Sequence, residues 1–175
     1  PRVHGQNTQR EFYIYAACDS AYFDQFAPAL INSILTNTQQ GLHLHLFNPR
    51  DDQIKQCQQS RISATWEFVT NKHIDPFVEN YSNLTEEQQR RTQKSMEKGK
   101  DQNIAERMIK TYYACVRFIR LAQIIKSGQS FLAIDVDGIV RKSLDFSPHS
   151  NHDFYLYLKE KGGHLAGVLL GTGGV

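Results

Sequence analysis

Apolar positions along the chain fall into short runs that alternate with segments of helical period. FYIYAAC, residues 12–18, is aromatic and β-favouring and reads as a first strand. It stops at Asp19 and Ser20, either of which can cap a following helix. Over residues 22–36, Phe23, Phe26, Leu30 and Ile34 recur at spacings of three and four, one buried stripe. Pro28 sits in or near the first turns of that helix, or else kinks it. LHLHLF, residues 42–47, alternates strictly, so Leu42, Leu44 and Leu46 share one face of a strand and His43 and His45 the other. Asn48-Pro49 turns the chain, residues 51–60 form a polar helix, and residues 64–70, holding Trp66, Phe68 and Val69, make a third strand. This alternation opens a doubly wound, mostly parallel α/β sheet with right-handed crossovers, its helices on both faces.

The pattern then breaks over residues 71–101. Asp75-Pro76 favours a turn, and residues 86–100 mix both charge signs with glutamine, as a solvated helix face or a mobile segment does. Arg90, Arg91, Lys94, Lys98 and Lys100 could fold over a phosphate there. Helical period returns over residues 103–127, with Ile104, Met108, Tyr112, Cys115, Ile119, Ala122 and Ile125 as its apolar stripe and Gly128 as its stop. Tyr113 and Arg117 lie four apart on a neighbouring face. Residues 154–158 and 164–170 read as two late strands, with a loop at 148–153 and a turn at Gly162-Gly163.

Between the long helix and the late strands stands FLAIDVDGIVRKSL, residues 131–144. Its four apolar residues read as a strand buried on both faces, as in a parallel sheet, and a short continuation at Ile139-Val140 is expected. On an extended strand Asp135 and Asp137 point the same way, roughly 6 to 7 Å apart, and can converge on one point. At ~5 Å and an effective dielectric of ~20 two such charges repel by roughly 3 kcal/mol. A cation between them relieves this, and for oxygen ligands beside a phosphate that ion is Mg or Mn. Gly138 allows a sharp turn beside a ligand.

At 175 residues the chain suits one domain with a sizeable core, residues 11–175, behind a loosely docked tail at 1–10. A formal charge of +2 with 22% charged residues describes a mixed surface, so no nucleic-acid partner is expected. Three widely spaced cysteines, Cys18, Cys57 and Cys115, fit reduced thiols in a cytoplasmic setting. That setting argues against use of the sequon at Asn83. No apolar run approaches the ~20 residues of a membrane span, and the polar opening PRVHGQNTQR is no signal peptide.

Taken in order, YIYAACDSAYFDQFAPALINSI, YYACVRFIRLAQII and FLAIDVDGIVRKSL resemble three parts of a family 8-type, GT-A-fold glycosyltransferase: the opening nucleotide-binding βα unit, the helix bearing a donor-side arginine or tyrosine, and the D-x-D strand. The likeness spans residues 11–170. It implies a Rossmann-like fold and a nucleotide sugar, UDP-linked, whose sugar passes to an acceptor the sequence does not name. By that resemblance Asp135 and Asp137 hold a divalent ion, usually Mn, that bridges the two phosphates, and Asp135 also reaches the ribose or donor sugar. Ala16, Ala17, Cys18, Asp19, Ser20 and Tyr22 surround base and ribose, Val136 gives a backbone contact, and Arg117 approaches the donor sugar or phosphate. The chain departs from the pattern at Cys18, where members often carry an acidic residue. It also shows no identifiable acceptor half; His164 is the nearest downstream histidine for a further metal ligand.

Two other readings remain open on these residues. IDVDG also resembles the first motif of haloacid-dehalogenase-type phosphatases, in which Asp135 would attack phosphorus, Asp137 would act as acid and base, and Mg would sit between. The motif comes late here, Ile139 replaces the usual small residue, and no second acidic pair follows. A domain that binds a nucleotide sugar without transferring it fits the missing acceptor half.

Overall fold

The computed structural model describes residues 4–5, 12–124, 130–143, 154–159 and 163–172. Its strands are β1 (His4–Gly5), β2 (Phe12–Asp19), β3 (Gly41–Phe47), β4 (Ile62–Glu67), β5 (Ser130–Ala133), β6 (Phe154–Lys159) and β7 (Gly163–Thr172). Its helices are α1 (Ser20–Asn37), α2 (Asp51–Gln56), α3 (Asn71–Glu79), α4 (Glu86–Gly99) and α5 (Ile104–Ile124), with a 3-10 turn at Asn80–Asn83. One sheet runs in the order β1-β4-β3-β2-β5-β7-β6. Its four central strands, β4, β3, β2 and β5, are parallel, and β1, β7 and β6 add antiparallel edges. The chain winds outward from β2 to β3 and β4, then returns to place β5 on the other side of β2, the reversal that defines a doubly wound α/β sheet.

Period-two alternation sorts the side chains of β2 between two core layers. Ile14, Ala16 and Cys18 join Leu42, Leu44 and Leu46 against Phe23, Ala27, Leu30, Ile31 and Ile34 of α1. Tyr15 and Ala17 join Phe47, Phe131 and Ala133 against Val116, Leu121 and Ile124 of α5. Covering both faces is what lets the strands be apolar throughout. Asp19 caps α1 by accepting the Tyr22 N–H at 2.8 Å. Pro28 lies well inside α1, beyond the first turns where it was expected, on an exposed position.

His43 and His45 are fully buried under the α5 side of the sheet. The His43 ring meets Ser63 Oγ at 2.9 Å and Thr65 Oγ1 at 3.0 Å, and the His45 ring meets Thr65 Oγ1 at 2.8 Å and Glu67 Oε1 at 3.1 Å. Arg120 closes this ladder with two donors on Glu67, Nε at 3.0 Å and Nη2 at 2.9 Å. Burial, with His45 beside it, pushes the His43 imidazole down to about 3. Burial alone would raise the Glu67 carboxyl, but the hydrogen bonds from His45 and Arg120 outweigh it and hold the group at about 2.

Several expected boundaries move. β4 ends at Glu67, so Phe68 is outside the strand and 54% exposed. Asp75-Pro76 is no turn but lies within α3. Residues 86–99 form α4, a solvated helix with no buried side chain, started by a capping box between Thr85 and Gln88. The stripe on α5 is rotated from the expected one: Val116, Arg120, Leu121 and Ile124 are buried, whereas Cys115, Ile119 and Ala122 face out. Glu67 draws Arg120 into the core, and an arginine on the buried face is what an apolar pattern cannot register. Of the expected 1–10 tail, His4 and Gly5 are described, paired with Trp66 and Thr65. The helix stop at Gly128, the loop at 148–153 and Gly162 of the expected turn lie outside the described residues.

Candidate functional site

Strand order reverses between β2 and β5, and the carboxyl ends of the strands at such a switch point are where a doubly wound sheet offers a crevice to a ligand. A cleft of about 520 Å³ occupies this position, lined by Ala17, Cys18, Asp19 and Tyr22 from the β2–α1 junction and by Asp135, Val136 and Asp137 after β5. Its remaining walls are Phe47 at the end of β3, Gly99 at the end of α4, and Arg107, Lys110, Tyr113, Ala114 and Arg117 along α5.

Asp135 and Asp137 share the cleft, but not as alternate residues of an extended strand. β5 stops at Ala133; the Ile134 N–H still reaches Tyr15 O at 2.9 Å, and the chain then folds into a turn closed by Gly138 N–H to Asp135 O at 3.0 Å. A β-carbon on Gly138 would stand 3.0 Å from that same carbonyl oxygen, so a side chain there would press on the turn. Val136 is driven into the α1 core. Val140 follows it there, donating its N–H to Ser33 Oγ at 3.1 Å and accepting from Asn37 Nδ2 at 2.8 Å, so residues 139–140 dock on α1 instead of continuing as a strand. Two apolar anchors thus pull inward and leave the carboxylates on the cleft side.

Arg117 lines the same cleft, and its Nη1 meets Asp135 Oδ1 at 2.5 Å. Expected near a donor sugar or phosphate, this arginine is paired in the structure with an aspartate. Its backbone is held by Tyr15, whose hydroxyl donates to Arg117 O at 2.7 Å, and its Nε is buried without a hydrogen-bond partner. Tyr113, one turn earlier, stacks on Phe47 with ring centres 4.6 Å apart and accepts from Asn48 Nδ2 at 3.1 Å. Burial, and after it the charge of Asp19, raises its phenol above the usual range. Burial likewise keeps the Cys18 thiol protonated, far above the ordinary thiol value, with the Asp19 charge adding to the effect.

Among the residues singled out from sequence, Ala17, Cys18, Asp19, Tyr22, Arg117, Asp135, Val136 and Asp137 are brought to one cleft. Ala16 and Ser20 are not among the lining residues: Ala16 is enclosed in the α1 core, and Ser20 turns to Gln53 and Arg50. His43 and His45 are bonded in the sheet, and among the described residues no group of three or more His, Cys, Asp or Glu is placed to hold a metal ion. Arg107, Lys110 and Phe47 were missed. The signal for the first two was their spacing of ten and seven residues from Arg117, about three and two helical turns, on what proves to be one face of α5.

Fold and cleft together define an open α/β protein whose cavity lies at the switch point of a doubly wound sheet. No protein family matches the chain, and no curated protein matches its sequence. Among solved structures it is similar to the glycosyltransferase GlyE of Streptococcus pneumoniae TIGR4, at 15% identity and a TM-score of 0.46 over 91% of this chain; the chain spans 34% of that one. No helix among the described residues is long and apolar enough to cross a membrane.

Proposed function

We propose that the chain binds a nucleotide sugar, UDP-linked, together with a divalent ion, and transfers the sugar to an acceptor. One observation carries this reading: the acidic turn after β5 and the Asp19–Tyr22 helix start after β2 face each other across a single cleft at the sheet's switch point. The donor set suits Mn or Mg. Two carboxylates are hard oxygen ligands, and such ions are commonly bound through one or two of them, with phosphate and water completing the shell. Asp135 is half-exposed and Asp137 exposed, so both are open to the cleft. Bound there, the ion supplies positive charge against the diphosphate as it departs.

The protein's own groups divide the remaining work. Arg117 grips one oxygen of Asp135, which orients the other. Tyr22, 53% exposed, offers an aromatic face to a base, and Cys18 and Ala17 line the cleft beside it. Phe47 and Tyr113, stacked, keep the opposite wall rigid.

Calorimetric titration with UDP, with and without Mn, tests the reading. The ion is expected to raise affinity at least about tenfold in the native chain and to have no effect in Asp137→Ala. Equal affinity with and without the ion would overturn it. Release of a radiolabelled sugar from its UDP conjugate then separates transferase from binder, and phosphate release from an aryl phosphate would point to the phosphatase chemistry instead.

A further inference from the structure

The α5 wall of the cleft carries cations that nothing in the proposed ion site uses. Arg107 and Lys110 line it from the first half of α5, beside Gly99 at the end of α4. They are held from behind by Asp101, whose side chain is wholly enclosed: it bonds Lys110 Nζ through Oδ1, and its Oδ2 stands 3.5 Å from Arg107 Nη1 without a hydrogen bond. Glu106 steadies Lys110 from the same helix at 3.1 Å. The Asp101 and Glu106 carboxylates raise the Lys110 ammonium above its ordinary value, so it stays charged. An enclosed carboxylate with one oxygen unbonded is costly. Its visible result is that two cationic heads are directed to one place.

Charge supplies the second strand of argument. The acids lining the cleft are Asp19, Asp135 and Asp137, and the cations are Arg107, Lys110 and Arg117, so the two sets offset. A divalent ion on the acidic turn offsets its carboxylates, so the charges left facing the cleft are those of the cations, whose partners Asp101 and Glu106 are not among the lining residues. Arg117 is committed to the acidic turn through Asp135; Lys110 and Arg107, paired with Asp101 and Glu106, remain 44% and 29% exposed and line the cleft. The buried, unpartnered Nε of Arg117 on the same helix face adds a further donor lacking an acceptor.

We infer that Arg107 and Lys110 receive the phosphates of the ligand and make the site selective for a nucleoside diphosphate over a monophosphate. This rests on the nucleotide-sugar reading for the nucleoside, but not for the anion. Guanidinium and ammonium together span a pyrophosphate, the first by paired donors and the second as a point charge.

Binding of UDP, UMP, uridine and inorganic pyrophosphate, each with Mn present, tests it in the native chain and in Arg107→Ala, Lys110→Ala and Lys110→Arg. The native chain is expected to prefer UDP to UMP by at least about tenfold. Each alanine variant should weaken UDP and pyrophosphate by about tenfold and leave uridine within about threefold, with Lys110→Arg recovering most of the loss. Circular dichroism melting identifies any variant that fails to fold, and Lys110→Arg, which keeps a cation for Asp101, preserves the comparison. Pyrophosphate binding that depends on Lys110 without any UDP binding would sustain the phosphate-receiving role of these residues, overturn the selectivity for a nucleoside diphosphate and sink the nucleotide reading. UDP binding indifferent to both alanine variants would do the reverse, and a native chain that binds neither UDP nor pyrophosphate overturns the inference.

Discussion

Glu67 and Arg120 form the most demanding pair in the molecule. The carboxylate is fully enclosed and takes two donors from the guanidinium and one from His45. Removing one partner of an enclosed pair leaves an uncompensated charge, which costs about 3 to 5 kcal/mol. Arg120→Leu is therefore expected to lower the urea unfolding free energy by about that much, and adding Glu67→Leu should recover a substantial part. At this scale the sequence was legible where chemistry is local. Asp135, Asp137 and Gly138 declare themselves within four residues, and Asp19 declares its capping role by preceding a helical stripe. Arg107 and Lys110 gave no such sign, because their meaning depends on Asp101 behind them and on an acidic turn more than twenty residues further along the chain. The same limit hid Arg120, which pattern counts as surface and Glu67 makes core.

Among the elements, α5 shows how far periodicity reaches and where it stops. Length and type were readable, but the face was not, since two stripes one residue out of phase compete along it. Tertiary contacts chose the stripe through Val116, Leu121 and Ile124 and left Cys115, Phe118 and Ile119 outward. Leu121→Ala is expected to cost about 2 to 4 kcal/mol, and Ile119→Ala, at a position 55% exposed, less than about 1 kcal/mol. Chemical denaturation of the two variants compares them directly; a reversed order would place the other stripe inside. The helix α4 is the opposite case: composition announced a solvated stretch, and the structure adds the capping box between Thr85 and Gln88 that starts it as a helix.

For the whole molecule, the parallel, doubly wound character of the central strands followed from the alternation of strand and helix, because parallel strands demand crossovers and crossovers demand helices, whereas which strands flank β5 did not. The antiparallel edges did not follow, since β1, β6 and β7 carry no motif that names a partner. The ladder inside the sheet sets how the fold answers acid. His43 and His45 are both held below the ordinary histidine value of 6.5, the first at about 3, so the unfolded chain binds their protons more readily than the folded one. Their contribution is complete above pH 6.5 and is lost as pH falls through the window toward 3. Glu67, lowered from 4.5 to about 2, adds a second loss within that lower range. The melting temperature is expected to be level above pH 6.5, to decline below it and to fall more steeply under 4.5; a melting temperature that rises on acidification from pH 6.5 would contradict the buried neutral imidazoles.

The outward turn of Cys115 has a practical consequence. Cys18 and Cys57 are sealed in the core, the latter with its thiol pushed up to about 12 by burial, so a thiol-directed probe meets one address on the native chain. That address lies two residues from both Tyr113 and Arg117, on the far side of α5 from the cavity they line. A fluorophore fixed there would ride on the helix that touches the ligand without obstructing its entry, and occupancy could be read in solution from a chain carrying no substitution at all.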